Sequence, residues 1–331
     1  MKVFRLILFI LHLGIFILLL GVLMNSIVPP KVFPWLNLLS LGFPILISAY
    51  ILLTFFWIIS WKKRAFVFLL FGLLFFKPVI RWVNFSSKKD QEANLKIVSL
   101  NAKGGKFGAD QIQDYIDRQN ADVVFLQEPS IPDINLKNLS GKSNMPVLSF
   151  YSRYEVVNHK NLFEGLENKD ITAQCEVIDI NIRGKIYRCI NVHLESFGIV
   201  KDMVKLNGNK DEDEIKTKNV LRKLLGNFKN HQDQIDLIKK EIENSPYPVF
   251  VVGDFNSVPN SYEYYKASDN LTDAFVEVGR GSGTSFHDFK FPLRIDYIFT
   301  SKSIQPVSYK VDHHVQISDH FPVIATFKLA D

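Results

Sequence analysis

Asp254 and Asn256 stand two residues apart in Val251-Val252-Gly253-Asp254-Phe255-Asn256-Ser257, directly after an apolar run over residues 247–252. Strand side chains alternate faces with period two, so the carboxylate and the amide share a direction at the strand's C-terminal edge. A carboxylate beside an amide can hold a water, a hard cation or a phosphate oxygen, and Gly253 lets the backbone turn close to a ligand. The same pair also suits an ordinary turn, because Asp and Asn are both turn formers. Its weight comes from repetition. Polar residues stand just beyond other apolar runs at Asn101, Glu128, His193, Asp296 and Asp319-His320.

Each has an ordinary alternative: a solvated acid at Glu128, a hydrogen-bonded core histidine at His193, a helix cap at Asp319. Asp296, between Ile295 and Tyr297, is harder to dismiss, since a buried unpaired carboxylate costs several kcal/mol. That all the ordinary readings hold together is a far stronger demand than any one of them. The set also makes chemical sense. Glu128, Asn101 and Asp319 supply oxygen ligands suited to Mg2+ or Mn2+, and there is no cysteine cluster or His-rich zinc pattern. Two histidines can move protons and stabilise a phosphate oxyanion, and Asp296 can hold one of them in the required tautomer. The inventory fits metal-assisted hydrolysis of a phosphate ester.

These residues need strands to position them. Runs of strand character cover residues 95–100, 122–126, 147–151, 171–180, 185–192, 249–252, 295–300 and 323–327. Residues 110–119 read as a helix with Ile112, Tyr115 and Ile116 on one face; 214–243 read as a longer one, with Gly226 a candidate break. Many strands, few helices and hairpins among them imply mixed sheets packed face to face and covered by helices. Cys175 and Cys189 flank a hairpin turn at 181–185. They are either two small buried residues or a cross-strand disulfide of an oxidising compartment.

The net charge of +5 over 331 residues is unevenly spread: residues 1–90 hold 10 Lys/Arg against one acid, the rest 29 against 33. The basic excess therefore sits in the apolar N-terminal part, as expected near anionic headgroups, and the remainder lacks the global positive field of a typical nucleic-acid binder. Residues 5–27 are long enough to cross a bilayer, 36–61 form a second span, and 65–76 a third apolar run interrupted by Lys77 and Arg81. The expectation is a retained anchor, not a cleaved signal, over residues 1–85. A linker over 86–94 and a catalytic domain over 95–331 follow. Three crossings place that domain outside the cytoplasm, with Lys62-Lys63-Arg64 inside; two place it in the cytoplasm, and the expectation here is three. A transporter is disfavoured, because the spans carry no buried charge pair.

In chain order, Ser99-Leu100-Asn101, Phe125-Leu126-Gln127-Glu128, Asn191-Val192-His193-Leu194, Gly253-Asp254-Phe255-Asn256, Arg294-Ile295-Asp296-Tyr297-Ile298 and Ser318-Asp319-His320 resemble the motifs of the endonuclease/exonuclease/phosphatase superfamily, shared by DNase I, AP endonucleases, neutral sphingomyelinases and inositol polyphosphate 5-phosphatases. The resemblance covers residues 95–329. It implies a four-layered α/β sandwich with the site at one end of two packed sheets, here preceded by N-terminal transmembrane helices. The arrangement of anchor and domain further resembles bacterial inner-membrane members. Roles follow by motif. Glu128 looks like the principal metal ligand, completed by Asn101 and Asp319. Asp254 would orient or deprotonate the attacking water, and Asn256 would help hold the phosphate. His320, oriented by Asp296, would bind the phosphoryl oxygen or act as base. His193 resembles the second histidine of DNase I and the sphingomyelinases.

Lys103 departs from the pattern, standing where AP endonucleases have an acid; a metal ligand is lost there and a phosphate-contacting ammonium is the expected replacement. The expected activity is a membrane-tethered, Mg2+- or Mn2+-dependent phosphoesterase acting on nucleic acid or on a phospholipid or small phosphoester, with no obligate protein partner. The competing reading is an inactive scaffold that keeps the fold. Substrate selection is expected from loops 130–145, 197–213 and 279–291, with Tyr262, Tyr264 and Tyr265 either stacking on a base or packed beneath the loop.

Overall fold

The computed structural model describes residues 2–129, 134, 136–166, 172–205, 207–289, 291 and 293–330. Parts of loops 130–145, 197–213 and 279–291, and residue 171 of the strand expected from it, lie outside these. The N-terminal part is helical: α1 (Lys2–Met24), α2 (Trp35–Leu41), α3 (Phe43–Ile59), α4 (Arg64–Gly72) and α5 (Phe76–Ile80), with a 3-10 turn joining the last two. α1 is long and apolar enough to cross a membrane. The second expected span is instead two helices, α2 and α3, meeting at 66°. Pro44 in the first turn of α3 has no N–H to continue the α2 ladder, so the chain turns at Gly42. α1, α3 and α4 run back and forth against one another. Trp57 Nε1 donates to His12 Nδ1 (3.1 Å), Tyr50 donates to the Phe68 carbonyl (2.6 Å), and Arg64 lies over Phe9 and Trp57. Ile10, Ile17, Leu52, Phe55, Phe66 and Leu70 face outward, exposed.

The rest alternates strands with a few helices. The elements are β1 (Val83–Phe85), β2 (Leu95–Asn101), α6 (Ala109–Gln119), β3 (Val123–Gln127), β4 (Gly141–Asn144), β5 (Leu148–Ser152), β6 (Glu155–Asn161), β7 (Gln174–Ile182), β8 (Lys185–His193), α7 (Lys201–Val204), α8 (Lys210–Glu243), β9 (Val249–Asp254), α9 (Tyr262–Ser268), β10 (Leu271–Asp273), α10 (Ala274–Val278), β11 (Arg280–Ser282), β12 (Asp296–Ser301), β13 (Gln305–Val311) and β14 (Val323–Lys328). They form two six-stranded mixed sheets, β10-β12-β9-β8-β7-β6 and β13-β14-β2-β3-β5-β4, with β1 and β11 as a small pair. Phe125, Phe150, Ile178, Cys189, Phe250, Val252, Ile298 and Phe327 fill the space between the sheets. α8 and α9 cover one outer face through Ile235, Ile238, Tyr262 and Tyr264, and α6 covers the other through Ile112, Tyr115 and Ile116. The expected four-layered sandwich is therefore present.

Among the described residues two strand pairs are parallel, β2 with β3 and β8 with β9, one at the centre of each sheet. Parallel neighbours need a crossover, supplied by α6 and α8, and so end at the same edge of the sandwich. That edge carries Asn101, Glu128, His193 and Asp254.

One further expectation changes, and two open alternatives resolve to buried side chains. α8 runs unbroken for 34 residues through Gly226, because the packing of Leu224, Phe228, Ile235 and Ile238 continues across it. The hairpin turn is the pair Arg183-Gly184, in left-handed conformation, with Ile182 opposite Lys185. That register pairs Cys175 with Val192 and Cys189 with Ile178 and sends the two cysteines into different cores. They are buried free thiols. Tyr262 and Tyr264 are buried in the α9 core; Arg81 lies over the rings of Tyr264 and Tyr265. The expected boundary at 85 falls just behind β1, which pairs with β11 of the sandwich.

Candidate active site

Gly253 explains how β8 and β9 come close enough to share a site. Its φ is +137°, and a Cβ there would lie 2.1 Å from the Val192 carbonyl oxygen, so a side chain is excluded by its neighbour strand. One residue on, Asp254 is buried, its Oδ1 accepting from the Asn256 N–H (2.8 Å) in a turn that takes Asn256 to φ +45°. Asp254 Oδ2 accepts from Asn101 Nδ2 (3.0 Å) and lies 3.8 Å from His193 Nε2 and 3.7 Å from His320 Nε2. Asp296 opens β12 directly opposite Asp254 and accepts from His320 Nδ1 at 2.9 Å. The Asp319-His320 turn is tied to the end of β2 by Ser318, whose hydroxyl donates to the Asn101 carbonyl (2.6 Å).

Asn101 Nδ2 also donates to Glu128 Oε1 (3.2 Å), and His193 Nε2 stands 3.1 Å from the same oxygen. Asn256 Nδ2 donates to the Leu194 carbonyl and lies 3.5 Å from His193 Nε2. Every residue expected in the site is thus at one end of the sandwich. Lys103 is not a free ammonium. It pairs with Asp319 and lies 3.9 Å from Asp288.

Charge states follow from these contacts. His193 Nδ1 faces the Thr172 carbonyl (2.7 Å) and can only donate there, while Nε2 faces a carboxylate. Both nitrogens are donors, so the ring is an imidazolium. Burial opposes the charge, but Glu128 and Asp254 outweigh it and raise the pKa. Reciprocally, the hydrogen bond from His193 holds Glu128 down at about 2 despite partial burial. Burial also opposes charge on His320, yet Asp296 and Asp254 lift it to about 10. Asp254 is raised to about 6, chiefly by burial, against the pull of His320. A carboxyl near neutrality between two cationic rings can take a proton from water; the rings can steady a phosphoryl oxygen and a leaving group.

The donor set fits a hard divalent cation. The site offers carboxylates from Glu128, Asp254, Asp296 and Asp319 and no sulfur, and Asp296 Oδ1 is buried with no hydrogen-bond partner. Of the three ligands expected, Asn101 and Glu128 adjoin, while Asp319 is held by Lys103 and Ser318. The tightest group of ligand atoms is a different one, Asp254, Asp296 and His320, all within 4.8 Å. Protonated His320 offers no lone pair, so that group reads as an acid–base relay.

Sequence reasoning missed three supports. Ser285 Oγ accepts from the backbone N–H of Ile295 and Asp296 (both 3.1 Å) and so fixes the start of β12. Phe286 bridges to His320 and packs its ring 4.9 Å away. Gln127 reaches across the sheets to Asn191 (2.8 Å) beside Glu128 and His193. Only the Gly/Ser-rich stretch before Asp296 signals the first and nothing local signals the second; Gln127 and Asn191 stand in the quoted motifs, but nothing local says that they meet.

A two-sheet sandwich with an Asn, Asp, Glu and His cluster at its parallel-strand edge defines a phosphoester-hydrolase class of site. The family model for the Endonuclease/Exonuclease/phosphatase family matches residues 98–320, and the chain belongs to that family. A second model, a domain of unknown function, matches residues 5–82. No curated protein matches the chain. Among solved structures it is similar to a humanized D. rerio TDP2 (16% identity, 71% of this chain and 98% of that one, TM-score 0.51). It is also similar to D. rerio TDP2 complexed with single strand DNA product (16%, 71% and 98%, 0.50). A third is an endonuclease/exonuclease/phosphatase from Bacteroides vulgatus (18%, 72% and 100%, 0.51). At these identities the likeness is one of fold.

Proposed function

We propose that this chain is a membrane-tethered phosphodiesterase that uses Mg2+ or Mn2+ and in-line attack by water. The observation that carries the reading is Asp254, buried between imidazolium His193 and imidazolium His320 and opposite Asp296. Glu128 and Asn101, with Asp319 alongside, would hold the cation, which when bound polarises a phosphoryl oxygen and acidifies water. Asp254 orients the water and accepts its proton. His320, steadied by Asp296, stabilises the phosphoryl oxygen, Asn256 helps hold the phosphate, and His193 protonates the leaving oxygen.

α1, α3 and the continuous run from α4 through the 3-10 turn to α5 (residues 64–80) are read as three crossings, which puts Lys2 and Lys62-Lys63-Arg64 on one side and the sandwich on the other. The rim of the site favours a lipid over a nucleic acid. Asp288, 3.9 Å from Lys103, pairs with Lys201 (2.7 Å), and in and beside α7 Val200, Met203 and Val204 are exposed among Lys201 and Lys205. Exposed aliphatic groups among lysines suit a headgroup layer, whereas nucleic acid calls for stacking rings.

The test is turnover by the full chain in neutral detergent, with Mg2+ or Mn2+ and with chelator, on bis-p-nitrophenyl phosphate, single-stranded DNA, RNA and phospholipids. Metal-dependent turnover abolished by Asp254→Ala and by His320→Ala, with phospholipid preferred, is expected. A folded protein that neither binds metal nor turns over any substrate is the scaffold instead.

A further inference from the structure

The long helix α8 carries a glycine that its own packing does not require. A Cβ on Gly226 would meet nothing within 4 Å, and a glycine inside a helix costs about 1 kcal/mol relative to alanine. The space in front of it is a groove of ≈450 Å3 between α8 and the start of α2, lined by Trp35, Lys218, Leu221, Arg222, Leu225, Gly226 and Lys229. Residues 218, 222, 225 and 229 fall on one face of α8 by helical spacing.

Three of the lining side chains are cations and none is an acid. Lys218 is shared with Glu214 one turn earlier (2.5 Å), and Arg222 Nη1 donates to Asn219 (3.2 Å). Among the described residues neither Arg222 nor Lys229 has a carboxylate partner. The apolar wall is Leu221, Leu225 and the half-exposed ring of Trp35. The groove lies where the helical module meets the sandwich. Lys31, in the α1–α2 loop, pairs with Asp233 of α8, and its N–H donates to Gln232 (2.9 Å). Once the module is inserted, this junction is at headgroup depth, where tryptophan concentrates.

We infer that this groove is a binding site for an anionic phospholipid of the surrounding bilayer. Its phosphate is held by Arg222 and Lys229, and its acyl chain runs past Trp35 onto the exposed apolar face of the helices. The occupant is a lipid and not a soluble anion because the cations are continuous with that apolar surface. The inference rests on the membrane reading above and is separate from the catalytic cluster.

The experiment counts lipid retained by the full chain after gel filtration from dodecyl maltoside micelles containing equal dioleoylphosphatidylglycerol and dioleoylphosphatidylcholine. About tenfold enrichment of the anionic lipid is expected from two uncompensated cations. Arg222→Gln/Lys229→Gln removes it by charge. Gly226→Leu removes it by filling the groove while raising helix propensity, so loss of folding is not its expected effect. Equal retention of both lipids, retention unchanged in both variants, or displacement by millimolar inorganic phosphate overturns the inference. Flotation with vesicles of phosphatidylcholine alone tests the membrane reading separately; wild type and both variants should float, and failure of all three sinks that reading first.

Discussion

His193 has two hydrogen-bond obligations that only a protonated ring can meet, one to a carbonyl and one to a carboxylate. As the proposed donor to the leaving oxygen it should matter in proportion to how badly that group leaves. His193→Gln is expected to slow hydrolysis of alkyl phosphodiesters about a hundredfold and of p-nitrophenyl esters far less. Equal loss on both sinks the donor role. Gly253→Ala should abolish turnover, since its Cβ falls on the Val192 carbonyl and displaces Asp254. Glu176 has no role in the reaction yet is fully buried in β7, with Ser143 donating to one oxygen and the other unpartnered. Burial raises its pKa, so the folded state prefers it protonated. The penalty is absent below the unfolded carboxyl pKa, grows as pH rises through the raised folded value, and is complete above it. Glu176→Gln should therefore raise the melting temperature by about 2–4 °C at pH 8 and leave it unchanged at pH 4.

At the scale of elements, the helical module is wired into the segments that follow the catalytic residues. Asn37 in α2 donates to both oxygens of Glu263 in α9 (2.9 and 2.8 Å) and accepts the Tyr262 N–H. Glu263 lies 3.2 Å from His231 of α8, whose other nitrogen meets the Glu195 carbonyl, two residues beyond His193. Asn25 and Ser40 donate to the Asn260 carbonyl, and Arg81 to its side chain, in the turn after Asn256. Asn37→Leu takes the amide donor from both oxygens of a buried carboxylate that keeps His231, and is expected to cost about 2 kcal/mol of stability in detergent-solubilised protein, measured by denaturant unfolding. An unchanged midpoint would mean that the network is slack.

For the whole molecule, the helices form a wall of the sandwich beside the site, in addition to the tethering role proposed for them. Val258 and Ile295, on either side of the Asp254–Asp296 pair, are buried in the same apolar cluster as Phe75 and Trp82, and Phe286 joins that cluster to His320. A fragment starting at residue 95 would expose this face and lose β1, Arg81 and Asn25 together. It is expected to aggregate and to hydrolyse bis-p-nitrophenyl phosphate more than about tenfold slower than the full chain, because a small displacement of reacting groups is costly. Full activity of a monodisperse fragment would reduce the helices to a tether.

The strands of the inner sheets and every residue of the polar cluster were legible in the sequence, because apolar runs ending in acids, amides and histidines at fixed places are a local pattern. β4 and β6 were not read as strands, since their residues are largely polar or exposed and gain their partners only by pairing at sheet edges; β13, also an edge strand, was missed although Val307, Tyr309 and Val311 alternate and are buried. The sequence by itself thus determined which side chains could do chemistry, and that an apolar module precedes them. The tertiary structure alone decided how they are charged and who holds them. Lys103 is spent on Asp319, the cysteines are parted by the register of a two-residue turn, and the helices grip the turn after Asn256. Charge state and register depend on residues far apart in the chain, and no local pattern carries them.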